Sequence, residues 1–170
     1  MQERKGAVTF KNGPITLIGP EIKVGDSAPN FKVLTGKLEE VTLDTYKGKT
    51  LILSVAPSLD TGVCAEQTRR FNKEVANLPA GVEVLTISAD LPFAQGRFCT
   101  AENIKITTLS DHREMSFANA YGTHIKELRL EARSLFVVGK DGKIKHVEYV
   151  KEMTTHPDYD KALAAAKANA

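Results

Sequence analysis

Cys64 is the residue best placed to do chemistry. It closes the segment Pro57-Ser58-Leu59-Asp60-Thr61-Gly62-Val63-Cys64, where an apolar run that reads as a buried strand stops and helical spacing begins. A thiol in the first turn of a helix meets the positive end of the helix dipole and backbone N–H groups without intrahelical partners. Both favour thiolate, the nucleophilic form. Pro57 and Thr61 complete a P-x-x-x-T-x-x-C pattern. The proline ends the strand and stiffens the turn, and the threonine hydroxyl lies about one helical turn before the cysteine, within reach of the sulfur and of an oxygen brought up to it. Where the target is an O–O bond, thiolate attack leaves a sulfenic acid and drives negative charge onto the departing oxygen. Such a site needs fixed donors and a permanent positive charge, and an arginine supplies both. Arg133, just before the apolar run Ser134-Leu135-Phe136-Val137-Val138, is the candidate, because strand ends in α/β sheets line the same edge as strand-to-helix turns. Spacing alone leaves Arg69, Arg70, Arg97 and Arg113 open, and the bland alternative for Arg133 is a surface ion pair with Glu131 or Glu127.

Cys99, the second of 2 cysteines, follows Phe98 and is less distinctive, with core filling as its bland alternative. With 34 residues between the two there is no C-x-x-C, which argues against an ordinary dithiol oxidoreductase. His112, His124, His146 and His156 show no ligand spacing, so neither a metal nor a cofactor is expected. A cysteine hydrolase would need a histidine beside Cys64, and the sequence locates none.

The chain has 170 residues, 42% hydrophobic and 26% charged, which suits one domain over 1–170 with a core that needs no disulfide staple. Its 23 basic and 21 acidic residues are interspersed and form no basic stripe, which argues against nucleic acid. The charged start Met1-Gln2-Glu3-Arg4-Lys5-Gly6 lacks the apolar centre of a signal peptide, and no run approaches a membrane span. A soluble, cytoplasmic protein is expected, in a compartment where cysteines are more often catalytic than structural.

The elements that must position these residues follow from periodicity. Val8–Lys11, Asn12-Gly13 and Ile15–Ile18 predict a hairpin over 7–18 with Asn12-Gly13 as its turn. Lys37–Leu43 ends in an edge strand, and Thr50–Ala56 is a nearly continuous apolar run suited to a central strand. A helix from Thr61, with Val63, Phe71, Val75 and Leu78 on one side, ends at Pro79-Ala80-Gly81. Val82–Ala89 is a second buried strand, and Asp90-Leu91-Pro92 offers a cap and an early proline for a helix reaching Cys99. Ile106–Ser110 reads as a strand, Arg113–Tyr121 as a short helix, Ser134–Val138 and Ile144–Val150 as a hairpin across Asp141-Gly142, and Pro157–Lys167 as a closing helix. This order describes α/β architecture, a mixed central sheet flanked by helices.

The stretches Ala56–Cys64, Arg69-Arg70-Phe71-Asn72, Ser88–Gln95 and Arg97-Phe98-Cys99 closely resemble the bacterial thiol peroxidases, an atypical two-cysteine branch of the peroxiredoxins. The match runs from the hairpin to Thr154-Thr155-His156-Pro157-Asp158-Tyr159. The resemblance implies a thioredoxin-like fold and reduction of hydrogen peroxide and alkyl hydroperoxides. It implies Cys64 as peroxidatic cysteine, Cys99 as resolving cysteine, and Pro57, Thr61 and Arg133 as site residues. An intramolecular Cys64–Cys99 disulfide, re-reduction by thioredoxin and a homodimer are implied as well. A disulfide requires Cα atoms within roughly 7 Å, so unwinding around the cysteines is expected, eased at Gly62 and Gly96. Leu59, Phe93, Phe98 and Tyr121 are candidate apolar walls. The rival function is a redox sensor or interaction module, oxidised by peroxide without rapid turnover.

Overall fold

The computed structural model describes residues 1–170. The chain opens with β1 (Glu3–Phe10) and β2 (Gly13–Ile18). Their turn is Lys11-Asn12, both left-handed (φ 49° and 66°), and Gly13 already pairs with Phe10. The expected Asn12-Gly13 turn is therefore one residue out. Side chains alternate along a strand, so a turn shifted by one changes which residues face each other. The observed register sets Val8 opposite Ile15, and both are buried with Leu17, Ile125, Ala132 and Met153 beneath the hairpin.

The chain continues through β3 (Lys32–Leu34), β4 (Glu40–Thr42), β5 (Thr50–Val55), α1 (Gly62–Glu74), β6 (Val82–Ser88), α2 (Pro92–Glu102), β7 (Thr107–Ser110), α3 (Ser116–Tyr121), β8 (His124–Ile125), β9 (Ser134–Val138), β10 (Ile144–Tyr149) and α4 (Tyr159–Ala168). Seven strands form one mixed sheet in the order β10-β9-β5-β6-β7-β3-β4, and β1, β2 and β8 form a second, small sheet. Strands β5, β6 and β7 run parallel while β9 lies antiparallel to β5. The C-terminal ends of the parallel strands and the N-terminal end of β9 thus share one edge. There Val55 pairs with both Ile87 and Ser134, and Ser88 pairs with Ser110. The turns that follow β5 and β6, and the residue preceding β9, all emerge along this edge.

Every residue of β5 is buried, as its apolar run predicts. Leu51, Leu53 and Val55 join a core under α3 that includes Phe31, Ile87, Phe117, Tyr121 and Phe136. On the opposite face Ile52 joins Phe71 of α1, Ile104 and Ile106, and Ala162, Leu163 and Ala166 of α4. Burying each large aliphatic or aromatic side chain contributes roughly 1.5–3 kcal/mol, so the two faces hold α1, α2 and α4 on one side and α3 on the other. The mixed sheet flanked by helices expected from the sequence is what forms.

Three helix starts differ from expectation. Helix α3 begins at Ser116 rather than Arg113, because the Asp111 carboxylate accepts the N–H groups of Phe117 (3.0 Å) and Ala118 (2.8 Å) and anchors the helix there. Helix α4 begins at Tyr159, where Asp158 caps the Lys161 N–H at 3.1 Å. The residue flanking α2 is Leu91, not Asp90, whose carboxylate is used elsewhere. No helix is long and apolar enough to cross a membrane.

Candidate active site

Pro57, which has no N–H to give, follows the last ladder bond of this strand, Ala56 N–H to the Ile87 carbonyl at 3.0 Å. The chain then turns sharply. Asp90 accepts from Ser58 Oγ (2.7 Å) and the Leu59 N–H (2.8 Å), pinning the turn to the end of β6. Thr61 donates its hydroxyl to the Ser58 carbonyl at 2.9 Å and its N–H to the same oxygen at 3.1 Å. Its side chain therefore makes no cap bond to α1. The first α1 amide with an acceptor in the chain is that of Ala65, to the Thr61 carbonyl at 3.0 Å. The N–H groups of Gly62, Val63 and Cys64 are left free, as expected at a helix start.

Cys64 is the third residue of α1, and its side chain is fully buried. Its carbonyl accepts the Thr68 hydroxyl at 2.9 Å. Tyr159 of α4 lies near enough for charge at Cys64 and Arg133 to act on its phenol, which is pushed up to about 12 chiefly by burial. Tyr159 also meets His156 Nδ1 at 2.7 Å and packs edge-on against Phe71.

Arg133 stands immediately before β9, on the same sheet edge, and is 3% exposed. Its Nε donates to the Met153 carbonyl (3.0 Å) and its Nη1 to Gln67 Oε1 (2.9 Å), while Nη2 has no partner in the chain. Gln67 is itself buried, with Nε2 donating to Ser54 Oγ (2.8 Å) and the Val55 carbonyl (3.2 Å) of β5. The guanidinium is thus keyed to the central strand through one side chain. The surface ion pair that was the alternative for Arg133 does not form: Glu127 accepts the Thr16 N–H and Glu131 the Thr123 hydroxyl. The four arginines that spacing left open are tied up at the surface, Arg69 with Glu102, Arg70 with Glu74 and Asp160, Arg97 with Asp60, and Arg113 with Glu40.

Pro57, Thr61 and Arg133 line one cavity of about 300 Å³. Its apolar walls are Phe10, Val63, Leu130 and Met153, and Ser58, Gly62 and Thr154 complete it. None of the four expected walls takes part. Leu59 is turned into the interior, Phe93 stands 67% exposed on α2, Phe98 packs against the α1–α4 core, and Tyr121, the last residue of α3, is buried against the sheet with its hydroxyl on the Pro29 carbonyl. Phe10 comes from the hairpin and Met153 from the segment after β10, which the Thr9 N–H to Lys151 and Met153 N–H to Thr9 bonds stitch together.

Cys64 is not among the residues that line this cavity, although its neighbours Gly62 and Val63 are; nor is Cys99. The latter is half-buried on α2, against the same core as Phe71, with its sulfur 3.7 Å from Thr108 Oγ1. Both cysteines are free thiols on different helices. A Cβ placed on Gly62 or Gly96 would meet nothing within 4 Å, so both glycines face open space.

Known proteins share this sequence and this fold. The Redoxin family signature matches residues 23–163. A thiol peroxidase of Bacillus subtilis (strain 168) is 61% identical over 162 residues, covering 95% of this chain and 96% of its own. The crystal structure of a peroxiredoxin-like protein from Aquifex aeolicus superposes with a TM-score of 0.90 at 39% identity, covering 97% of this chain and 98% of that one. A thiol peroxidase from Chromobacterium violaceum shares the fold at a TM-score of 0.79 and 18% identity, over 91% of each chain. The fold is thioredoxin-like, and the chain belongs to the Redoxin family, among its peroxiredoxin-type thiol peroxidases.

Proposed function

We propose that this enzyme, a thiol peroxidase reducing peroxide through a redox-active cysteine, works by way of a Cys64 sulfenic acid and a Cys64–Cys99 disulfide. The observation that carries the reading is the convergence of two kinds of donor and one hydroxyl acceptor on one cavity of about 300 Å³: the free amides that open α1, the unpartnered Nη2 of Arg133, and the Thr61 oxygen. Cys64 thiolate attacks the terminal peroxide oxygen. The O–O bond breaks, its electron pair leaves with the departing oxygen, and sulfur is left as sulfenic acid. Charge develops on that departing oxygen, where pre-positioned donors lower the barrier most. Thr61, already oriented by the Ser58 carbonyl, contacts the peroxide with its remaining lone pair, and Arg133 holds the charge. Four apolar walls suit alkyl hydroperoxides as well as hydrogen peroxide.

Cys99 then attacks the sulfenic sulfur, releasing water and forming the disulfide. Cys64 is buried in the first turn of α1 and Cys99 sits towards the C-terminal end of α2, so the chain around these two positions must loosen. In the chain-entropy picture a cross-link over this span restrains the unfolded chain by about 4 kcal/mol, offset by strain in the remodelled native state. Thioredoxin returns both thiols, in a homodimer of the cytoplasm.

The test is peroxide consumption coupled to a thioredoxin system for wild type, Cys64→Ser and Cys99→Ser. Cys64→Ser should lose activity altogether. Cys99→Ser should turn over once per site, accumulate sulfenic acid and lose coupled cycling. Undiminished turnover in Cys64→Ser refutes the assignment of the nucleophile, and normal cycling in Cys99→Ser refutes that of its partner.

A further inference from the structure

The stretch Ser88–Gln95 contributes no group to the cavity, yet it gathers a set of buried and half-buried side-chain hydrogen bonds at the turn that does. At its centre Asp90 accepts three bonds: Ser58 Oγ at 2.7 Å on Oδ1, and the Leu59 N–H and Ser88 Oγ, both at 2.8 Å, on Oδ2. Ser88 Oγ in turn accepts Gln95 Nε2 of α2 at 3.0 Å, and the same amide donates to the Leu109 carbonyl at 2.9 Å. Ser88 and Gln95 are at most 1% exposed. One continuous polar chain thus runs from the turn before Cys64, through Asp90 and Ser88, to the helix that carries Cys99. A second link closes the outside, where Asp60 of the turn faces Arg97 of α2 at 3.5 Å. That pair is exposed, and an exposed pair of this kind contributes little. The inner chain passes through the buried Ser88 and Gln95 and a half-buried carboxylate that accepts three bonds, so it dominates.

We propose that Asp90 is a positioning residue that clamps the Ser58–Thr61 turn to the foot of α2. In doing so it sets how the Cys64 sulfenic acid divides between disulfide formation and further oxidation. The proposal rests on the reading of Cys64 and Cys99 as the reacting pair. While the clamp holds, Thr61 is locked through the Ser58 carbonyl and the cavity stays assembled over Gly62 and Val63, next to Cys64, so a second peroxide meets the sulfenic acid in the geometry that favoured the first. That second reaction moves one oxygen onto sulfur, giving sulfinic acid and water or alcohol. When the clamp opens, the turn and the base of α2 part, and Cys99 displaces hydroxide from the sulfenic sulfur to give the disulfide and water. Clamp strength therefore trades retention of the assembled cavity against speed of resolution.

Asp90→Asn tests this. The amide nitrogen cannot accept, so at least one of the three bonds is lost, and a lost charge-assisted bond corresponds to roughly tenfold in an equilibrium between closed and open turns. At high peroxide, intact-mass analysis of Cys64 should show about a tenfold lower ratio of sulfinic acid to disulfide in Asp90→Asn than in wild type. Ser58→Ala, which removes the bond to Asp90 and the longer one accepted from the Asp60 N–H (3.2 Å) but leaves the carboxylate in place, should shift the ratio the same way by a smaller factor. The double variant should match Asp90→Asn alone. A residue that served stability only would lower the melting temperature and leave the ratio unmoved; an unmoved ratio in folded Ser58→Ala and Asp90→Asn, or in folded Ser58→Ala should the other not fold, overturns the clamp. Absence of any Cys64–Cys99 disulfide in oxidised wild type is the separate result that overturns the reading beneath it.

Discussion

Replacing Arg133 with lysine separates the charge of this residue from its shape. The guanidinium spends Nε on the Met153 carbonyl at 3.0 Å and Nη1 on Gln67 at 2.9 Å, and its rigid fork leaves Nη2 for the cavity. A lysine carries the same charge on a single nitrogen with no fixed fork, so it cannot span both anchors and also present a donor where the departing oxygen forms. Loss of one pre-positioned donor of this kind costs about 100- to 1000-fold in rate. Net stability falls by roughly 2 kcal/mol for one lost charge-assisted bond in a residue only 3% exposed, a lowering of about 4–8 °C in melting temperature. The assay is the second-order rate of Cys64 oxidation under single-turnover conditions, measured by stopped flow, together with the pH dependence of Cys64 alkylation. We expect the oxidation rate to collapse while the alkylation profile moves little, because the positive charge stays. A folded Arg133→Lys protein that oxidises within about threefold of wild type refutes the assignment of the fork to the transition state. A rate loss accounted for wholly by a shifted alkylation profile would show that Arg133 acts through the thiolate instead.

Thr61→Val keeps the volume and removes the hydroxyl that bonds Ser58 at 2.9 Å; single-turnover oxidation should slow by about 10- to 100-fold, with stability lowered by no more than about 1 kcal/mol. Burial pushes the Asp111 carboxyl up to about 6 and the fully buried Glu131 well above the usual carboxylate range, the charge of Asp111 adding to the latter. A raised folded-state value gives stability that is present in acid and lost as pH rises through it. Glu131→Gln keeps a donor and an acceptor in place without that dependence, so it should melt like wild type near pH 5 and at least about 2 °C higher at pH 9. Glu152 is held down at about 2 by Thr154, Asn12 and Thr9, tying the hairpin to the segment that carries Met153. A depressed value gives stability present above about 4.5 and lost as pH falls towards 2. Glu152→Gln should therefore melt lower than wild type at pH 7, with the two curves converging near pH 2.

What the sequence revealed of this site was what is local. Pro57, Thr61 and Cys64 lie within one turn, and their spacing alone places them around a helix start. Arg133 was reachable because strand direction decides which ends share an edge, and Val55 pairs with the residue next to it. The cavity walls were not reachable. Phe10 and Met153 meet only because the hairpin register and the bonds from Thr9 to the 151–153 segment bring distant parts together. Gln67 did carry a signal: it shares the buried face of α1 with Cys64, Thr68 and Phe71, and a long polar side chain on such a face needs a partner. The acidic pair of Asp111 and Glu131 carried none, since each sits among ordinary charged residues and their burial is a product of tertiary packing. Asp90 carries the sequence signature of a helix cap ahead of an early proline, yet its carboxylate serves the neighbouring turn.

The two halves of the cavity are held by interactions of different strength, and this difference bears on the chemistry. Arg133 is fastened through Gln67 to β5 and abuts β9, two strands buried along their whole length, so moving it requires breaking the central sheet. The turn leading to Cys64 has exposed residues at Asp60, Thr61 and Gly62, and is held by Asp90 and a solvent-screened ion pair. Stabilising a departing oxygen needs a charge that does not reorganise, whereas forming a disulfide with a cysteine on another helix needs a sulfur that can travel. Placing the charge on the rigid strands and the sulfur on the releasable turn lets one cavity meet both demands. Tightening the turn should then slow resolution without improving the first step, because the group that sets the first step is already fixed.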